Sequence, residues 1–292
     1  MNSVKIMKLR LNFFILLLNL AILFVPVTLL ALDEGSLFSR LVAEDGLDKA
    51  LVSHYLKGER AHVDTAIIAK NLKQVEYKAT YDRFLGAKSV QKGRLFLQEN
   101  QSWMRVQEKK YRVKPELVTA IFLIESDLGR YPGRYHLLQV FASLASCNQE
   151  EYLQKVYKEL LPKYPELDYQ WLQRRARKKS VWGYVQLVAL MRLSERFDVN
   201  QVKGSWAGAF GICQFIPSSC LNYAVDGNGD GLIDLYDFKD AAASVANYLK
   251  VHGWQAGLDR KAQEKVVWSY NHSTLYCQTV VELARRLDEK DD

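Results

Sequence analysis

Ile121-Phe122-Leu123-Ile124-Glu125-Ser126-Asp127-Leu128-Gly129-Arg130 decides how the chain is read. Upstream, Pro115 suits a first helical position, where its missing N–H is not needed. Gly129 suits the residue just past a helix end, where the backbone turns left-handed. Between them Leu117, Ile121, Ile124 and Leu128 recur at helical spacing, which predicts an apolar helix closed by Gly129. Glu125 falls on the margin of that stripe, with Ile121 and Phe122 one turn back and Leu128 one turn on. A carboxyl group among such side chains loses hydration, and its protonated form is favoured. A carboxyl group held protonated near neutral pH is what a general acid requires. The alternative is a boundary glutamate that simply reaches solvent.

Outward from this helix, few segments alternate with period two, and a mainly α fold is expected. Leu37 to Leu56 reads as one short helix, and residues 60–80 show no firm period. Leu85 to Gln101 reads as loop then helix, continuing through Trp103 to Lys110. Further helices are expected over Leu137 to Ala145, around Tyr152 to Leu161, and over Val181 to Phe197 through Val185, Val188, Leu190 and Leu193. The densest basic run, Arg174-Arg175-Ala176-Arg177-Lys178-Lys179, is either a solvated helix face or a contact for anionic polymer or lipid head groups.

The 292 residues carry a formal net charge of +7, and hydrophobic content is an ordinary 49%. Lys5, Lys8 and Arg10 stand before the nearly unbroken apolar stretch Leu11 to Ala31. Residues 1–31 therefore read as an export signal, either cleaved after Ala31 or kept as an anchor, since their length reaches the roughly 20 residues that span a bilayer. No cysteine lies there to carry a lipid. The body is expected outside the cytoplasm, in a bacterium in the periplasm or cell envelope. No basic patch with interleaved aromatics supports nucleic-acid binding, and a monomer is expected. Cys147, Cys213, Cys220 and Cys277 fit no zinc spacing; buried thiols and a disulfide both remain open.

Three further segments carry chemistry. Gly204-Ser205-Trp206-Ala207-Gly208-Ala209-Phe210-Gly211-Ile212-Cys213-Gln214-Phe215 is rich in small residues that allow close backbone approach, and Ser205 and Gln214 are its polar side chains. Such a pair inside an apolar turn suits a hydroxyl-rich ligand. Residues 226–237 fit a twelve-residue calcium loop. Side-chain oxygens fall at Asp226, Asn228, Asp230 and Asp234, the Leu232 carbonyl takes position seven, and Gly231 the sharp turn. Position twelve is Asp237, shorter than the usual glutamate, and Asp240 is placed to cap the following helix, in which Tyr248 points inward. The cation expected is structural Ca2+. Finally Tyr270-Asn271-His272-Ser273-Thr274-Leu275-Tyr276 clusters rings and an amide suited to a sugar.

In that order, from about Lys88 to Tyr276, these segments resemble the soluble domain of membrane-bound lytic transglycosylase B and its glycoside hydrolase family. The motifs are Ile-Glu-Ser with Gly129, Gly-Ser-Trp-Ala-Gly-Ala-Phe-Gly, Gln-Phe-Ile-Pro-Ser-Ser, the calcium loop, Ala246-Asn247-Tyr248 with His252-Gly253-Trp254, and Tyr-Asn. The resemblance implies a lysozyme-like catalytic domain, α+β with little strand, over 88–292, behind an N-terminal helical extension over 32–87. It implies cleavage of the β-1,4 bond between N-acetylmuramic acid and N-acetylglucosamine in peptidoglycan glycan strands, leaving a 1,6-anhydro ring. In that pattern Glu125 matches the single acid/base, and Ser205, Gln214, Tyr248, Tyr270 and Asn271 match substrate positions. Two features depart from it. Only 15 residues separate Trp254 from Tyr270, where the family's type member carries a small inserted domain. Cys213 stands where a small or aromatic residue is expected.

The residues themselves agree on one point. A two-carboxylate hydrolase needs a second acid facing the first, and Asp127 lies about 200° round the helix from Glu125. A lone acid can protonate the leaving oxygen and then accept a proton from the sugar's own C6 hydroxyl. The rival functions are a lysozyme-like muramidase and a non-catalytic peptidoglycan-binding protein.

Overall fold

The computed structural model describes residues 34–73 and 79–289, so the apolar stretch Leu11 to Ala31 lies outside the described residues. The helices are α1 (Glu34–Ala43), α2 (Lys49–Leu56), α3 (Thr65–Lys73), α4 (Ala79–Asp82), α5 (Ala87–Tyr111), α6 (Pro115–Ser126), α7 (Leu137–Ala145), α8 (Glu150–Leu160), α9 (Tyr169–Arg192), α10 (Pro217–Tyr223), α11 (Phe238–Val251), α12 (Arg260–Tyr270) and α13 (Thr274–Asp288). Two short strands, β1 (Tyr135–His136) and β2 (Lys203–Gly204), pair antiparallel with Tyr135 opposite Gly204. The mainly helical expectation holds. Among the described residues no helix is long and apolar enough to cross a membrane.

The centre is α6. Leu117, Val118, Ala120, Ile121, Phe122 and Leu123 are all buried, so this helix is apolar nearly all round, as a central helix must be. Helices α5 and α13 pack on it, and α7 packs on α9. That second pairing is close because Gly183 faces α7, where a Cβ would come within 2.6 Å of Leu144 Cβ. The main core also takes in Leu37, Leu41, Val52, Tyr55 and Ile67 from α1 to α3. A smaller cluster joins α3, α8 and the start of α9 through Ile68, Leu72, Leu153, Val156 and Leu172.

Several elements differ from their sequence reading. Leu37 to Leu56 forms two helices, because Gly46 turns left-handed at φ 68° and Asp48 caps α2 by accepting the Leu51 N–H at 2.8 Å. The stretch over residues 60–80 holds α3, whose Ile67, Ile68 and Leu72 are buried. The loop-then-helix expectation for Leu85 to Lys110 does hold, α5 running unbroken from Ala87 to Tyr111. On α9 the buried side is Tyr184, Leu187, Val188, Leu190 and Met191, leaving Val185 exposed. Arg174, Arg175, Arg177 and Lys178 are exposed on the same helix. The four cysteines are buried thiols.

Candidate functional site

Helix α6 stops at Ser126, three residues before Gly129. Asp127 takes the left-handed position at φ 55°, and Leu128 and Gly129 follow at 60° and 87°. The Asp127 N–H bonds the Leu123 carbonyl, and the Leu128 N–H reaches back to that of Phe122 at 3.0 Å. Ser126 makes the early stop possible: its Oγ donates to the Ile212 carbonyl at 2.6 Å and accepts the Gly129 N–H at 2.9 Å. The last turn of α6, with Glu125 in it, is thereby tied to the segment after residue 204.

Glu125 keeps part of its surface open, while surrounding atoms displace water from its carboxyl group. That desolvation raises its pKa from 4.5 to about 7, against the opposing pull of a hydrogen bond from Tyr276. The Tyr276 hydroxyl donates to Oε1 at 2.6 Å. Burial, and then the nearby Glu125 charge, raise the Tyr276 pKa well above 10, so Tyr276 stays a donor. No other carboxylate perturbs Glu125 among the described residues. Asp127 is occupied elsewhere, in an ion pair with Lys92 Nζ at 2.6 Å.

Tyr276, rather than the Tyr270 and Asn271 that the sequence points to, is the residue of this segment bonded to Glu125. The signal was present in Ser273, which caps α13 by accepting the Tyr276 N–H at 3.1 Å and so sets Tyr276 in the first turn. Tyr270 stacks on Tyr276 with the ring planes 6° apart and centroids at 6.4 Å. Its hydroxyl donates to the Cys213 carbonyl, so Cys213 serves through its backbone while its thiol is buried. Tyr248 lies edge-on to Tyr270 at 5.2 Å and donates to the Ser269 carbonyl at 2.5 Å. Asn271 ends α12 beside them and is half-buried.

Gln214 sits at φ 50°, and its Nε2 donates to the Pro132 and Gly211 carbonyls, each at 3.0 Å. The amide nitrogen is thus committed to the loop that follows Glu125. Ser205 Oγ accepts the Ala209 N–H at 3.1 Å, closing the turn over residues 205–209. Single bridges from Gly204 to Phe210 and from Phe210 to Phe215 join this turn to Gln214. Gly133 allows the close approach on the other side: at φ 101°, a Cβ there would lie 2.0 Å from the Gly204 carbonyl carbon. Tyr270, stacked on Tyr276, and Tyr248 beside it thus join the ring that meets Glu125, and Gln214 is tied to the loop after it, while Ser205 is bound within its own turn. His272 is exposed.

The acidic loop is organised differently from its reading. Asp226 accepts the N–H groups of Gly229 and Gly231, Asn228 that of Asp230, Asp230 that of Leu232, and Asp234 that of Tyr236. Asp237, assigned to position twelve, instead caps α11 by accepting from Lys239 and Asp240. Asp240, assigned to the cap, is buried and turned into the loop. Its Oδ1 accepts from Gly227 and Asn228, and its Oδ2 from Asp234 at 2.7 Å. The helix starts at Phe238, so Asp237 is the residue with the extended backbone a cap needs. The hard-oxygen set suits Ca2+ in chemistry, and Gly231 makes the expected turn at φ 87°. The oxygens are turned toward loop amides, and among the described residues no three His, Cys, Asp or Glu side chains converge as a metal site.

Comparison with known proteins places this arrangement. Membrane-bound lytic murein transglycosylase B of Escherichia coli (strain K12) is 37% identical over 175 residues, which is 60% of this chain and 41% of that protein. The chain therefore matches less than half the length of that relative. Lytic transglycosylase Slt35 of Escherichia coli, solved in complex with calcium, superposes with a TM-score of 0.66 at 24% identity, covering 87% of this chain and 91% of that one. SltB3 from Pseudomonas aeruginosa, solved in complex with NAG-anhNAM-pentapeptide, gives 0.66 at 21% identity, covering 86% and 77%. These two likenesses establish a shared lysozyme-like fold. The family model described as a transglycosylase SLT domain matches residues 33–265, so the chain belongs to that family.

Proposed function

We propose that the protein is a lytic transglycosylase that cleaves the β-1,4 bond between N-acetylmuramic acid and N-acetylglucosamine in peptidoglycan. The observation that carries this reading is Glu125: one carboxyl group with a pKa near 7, a phenol hydrogen-bonded to it and no acidic companion among the described residues. Protonated Glu125 gives its proton to the bridging oxygen as the C1–O4 bond breaks. The muramic acid C6 hydroxyl then bonds to C1 and yields its proton to the Glu125 carboxylate, restoring the acid. No water is consumed, and proximity of the C6 hydroxyl supplies much of the rate. Ser205, Gln214, Tyr248, Tyr270 and Asn271 form the sugar site, rings supplying faces for the sugar and the polar groups supplying hydrogen bonds. The complex of SltB3 with an anhydro-sugar peptide supports this substrate class.

Calcium fits the same reading as a structural ion. Asp226, Asn228, Asp230, the Leu232 carbonyl and Asp234 would hold it, with Asp240 in place of Asp237. Bound there, the ion supplies positive charge that relieves repulsion among these acids. The apolar N-terminal stretch and the membrane-bound relative support a location in the bacterial cell envelope, outside the cytoplasm.

The test is a product mass spectrum from purified sacculi. Wild type is expected to release anhydro-muropeptides and Glu125→Gln none. Products heavier by one water would make the enzyme a muramidase instead. Full activity of Glu125→Gln would remove the assignment, and binding without turnover by the wild type would leave a glycan-binding protein.

A further inference from the structure

The two-residue strand β1 lies beside two cations, Lys70 and Arg134. Lys70 Nζ, from α3, donates to the Tyr135 hydroxyl oxygen at 2.6 Å and lies 5.1 Å from the ring centroid. The Arg134 guanidinium lies 5.8 Å from the same centroid. Lys70 and Arg134 are exposed, and among the described residues neither makes an ion pair with a carboxylate. Asp64, at the head of α3, has Oδ1 committed to the Ala66 N–H. The hydrogen bonds from Lys70 and then Arg134 pull the Tyr135 pKa below 10, the direction expected of a phenol short of negative charge. With its oxygen accepting from Lys70, the Tyr135 hydroxyl has its proton left to donate. An ammonium, a guanidinium and a phenol O–H therefore gather as donors with no carboxylate paired to them among the described residues.

The cluster stands on the framework that carries the sugar site. Tyr135 pairs with Gly204, and Ser205 is the next residue. Asn71, beside Lys70, donates to the Trp206 carbonyl at 2.9 Å. Pro132, in the loop leading to Arg134, accepts from Gln214. We propose that Lys70, Arg134 and Tyr135 form a carboxylate-binding site at the edge of the glycan groove, which takes the free carboxylates of the peptide stems carried by muramic acid. This rests on the glycan reading above and extends it: the enzyme selects strands whose stems are present and ionised.

The experiment is calorimetric binding of soluble glycan fragments to the full-length protein carrying Glu125→Gln, which prevents turnover. Three fragments are compared: stem-bearing, stem-bearing with amidated carboxylates, and stripped of stems. The stem-bearing fragment is expected to bind about 10-fold or more tighter than the other two, the scale of charge-assisted hydrogen bonds. Lys70→Met with Arg134→Met should abolish that preference and leave affinity for the stripped fragment unchanged, while Lys70→Arg with Arg134→Lys should restore much of it. Equal affinity for all three fragments, or a preference that survives the double Met variant, overturns the site alone. Equal loss on stripped and stem-bearing glycan also overturns it, since the residues would then only shape the groove. Absence of binding by every fragment sinks the glycan reading together with this one.

Discussion

At the residue scale, the proposed chemistry depends on a proton that desolvation favours on Glu125. A folded-state pKa near 7 against 4.5 means that the folded protein binds more protons than the unfolded chain between those values. Stability attributable to this group is therefore full below about pH 4.5 and is lost as pH rises through 7. Glutamine carries no such penalty. Glu125→Gln is expected to match wild type near pH 4 and to exceed it at pH 8 by about 1–3 kcal/mol, discounted for partial exposure, in urea unfolding. An equal difference at both pH values would show that burial does not set this pKa. Tyr276 acts in the opposite sense. Its hydrogen bond favours the carboxylate, so Tyr276→Phe is expected to move the alkaline decline of turnover to higher pH. Turnover at pH 6 should also drop about tenfold, for one lost orienting hydrogen bond. A pH profile that keeps its shape would reduce Tyr276 to a packing role.

At the element scale, the acidic loop and the acid helix are linked by a short relay. Asp240 holds the loop; the Leu235 carbonyl, near its end, accepts the Ile212 N–H at 2.8 Å; and the Ile212 carbonyl takes the hydroxyl of Ser126, next to Glu125. Removing Asp240 leaves three loop N–H groups without their acceptor. Asp240→Ala is expected to cost about 2–4 kcal/mol in thermal unfolding. A chelator should lower the wild-type melting temperature, and Asp240→Ala should lose most of that calcium-dependent increment; an unchanged wild-type melt would remove the ion from this loop. The run of spaced oxygens was legible in sequence, because it lies within one short segment. The exchange of roles between Asp237 and Asp240 was not, since which acid caps and which faces inward depends on where α11 starts. The early end of α6 was hidden for a similar reason: Ser126 finds its partner 86 residues away. Helical periodicity brought out α6 and α7, whereas the break at Gly46 and the helix over Thr65–Lys73 depend on local caps and on burial against distant elements. The desolvation of Glu125 was legible because its helix is apolar. Tyr276 was not, since its contact with Glu125 spans 151 residues.

At the scale of the whole molecule, the helices before residue 88 are more than a covering. Leu37, Leu41, Val52, Tyr55 and Ile67 belong to the same core as Ile121 and Phe122 of α6. Ile68 and Leu72 complete the second cluster with α8 and α9. Burying side chains of this kind contributes about 1.5–3 kcal/mol each, so losing seven removes about 10–21 kcal/mol, as much as the whole of the roughly 5–15 kcal/mol by which a domain is stable. The same helices reach the candidate sugar-site segment, since Asn71 holds the Trp206 carbonyl one residue past Ser205. A chain beginning at Lys88, which retains every candidate catalytic and sugar-site residue, is therefore expected to lose its cooperative thermal transition and its near-ultraviolet circular dichroism. It should release no anhydro-muropeptides. Adding residues 32–87 back as a separate polypeptide should restore part of both signals if the two parts re-form the shared core. A cooperative melt and full turnover from the shortened chain alone would instead make residues 32–87 an appendage whose contacts contribute little to folding.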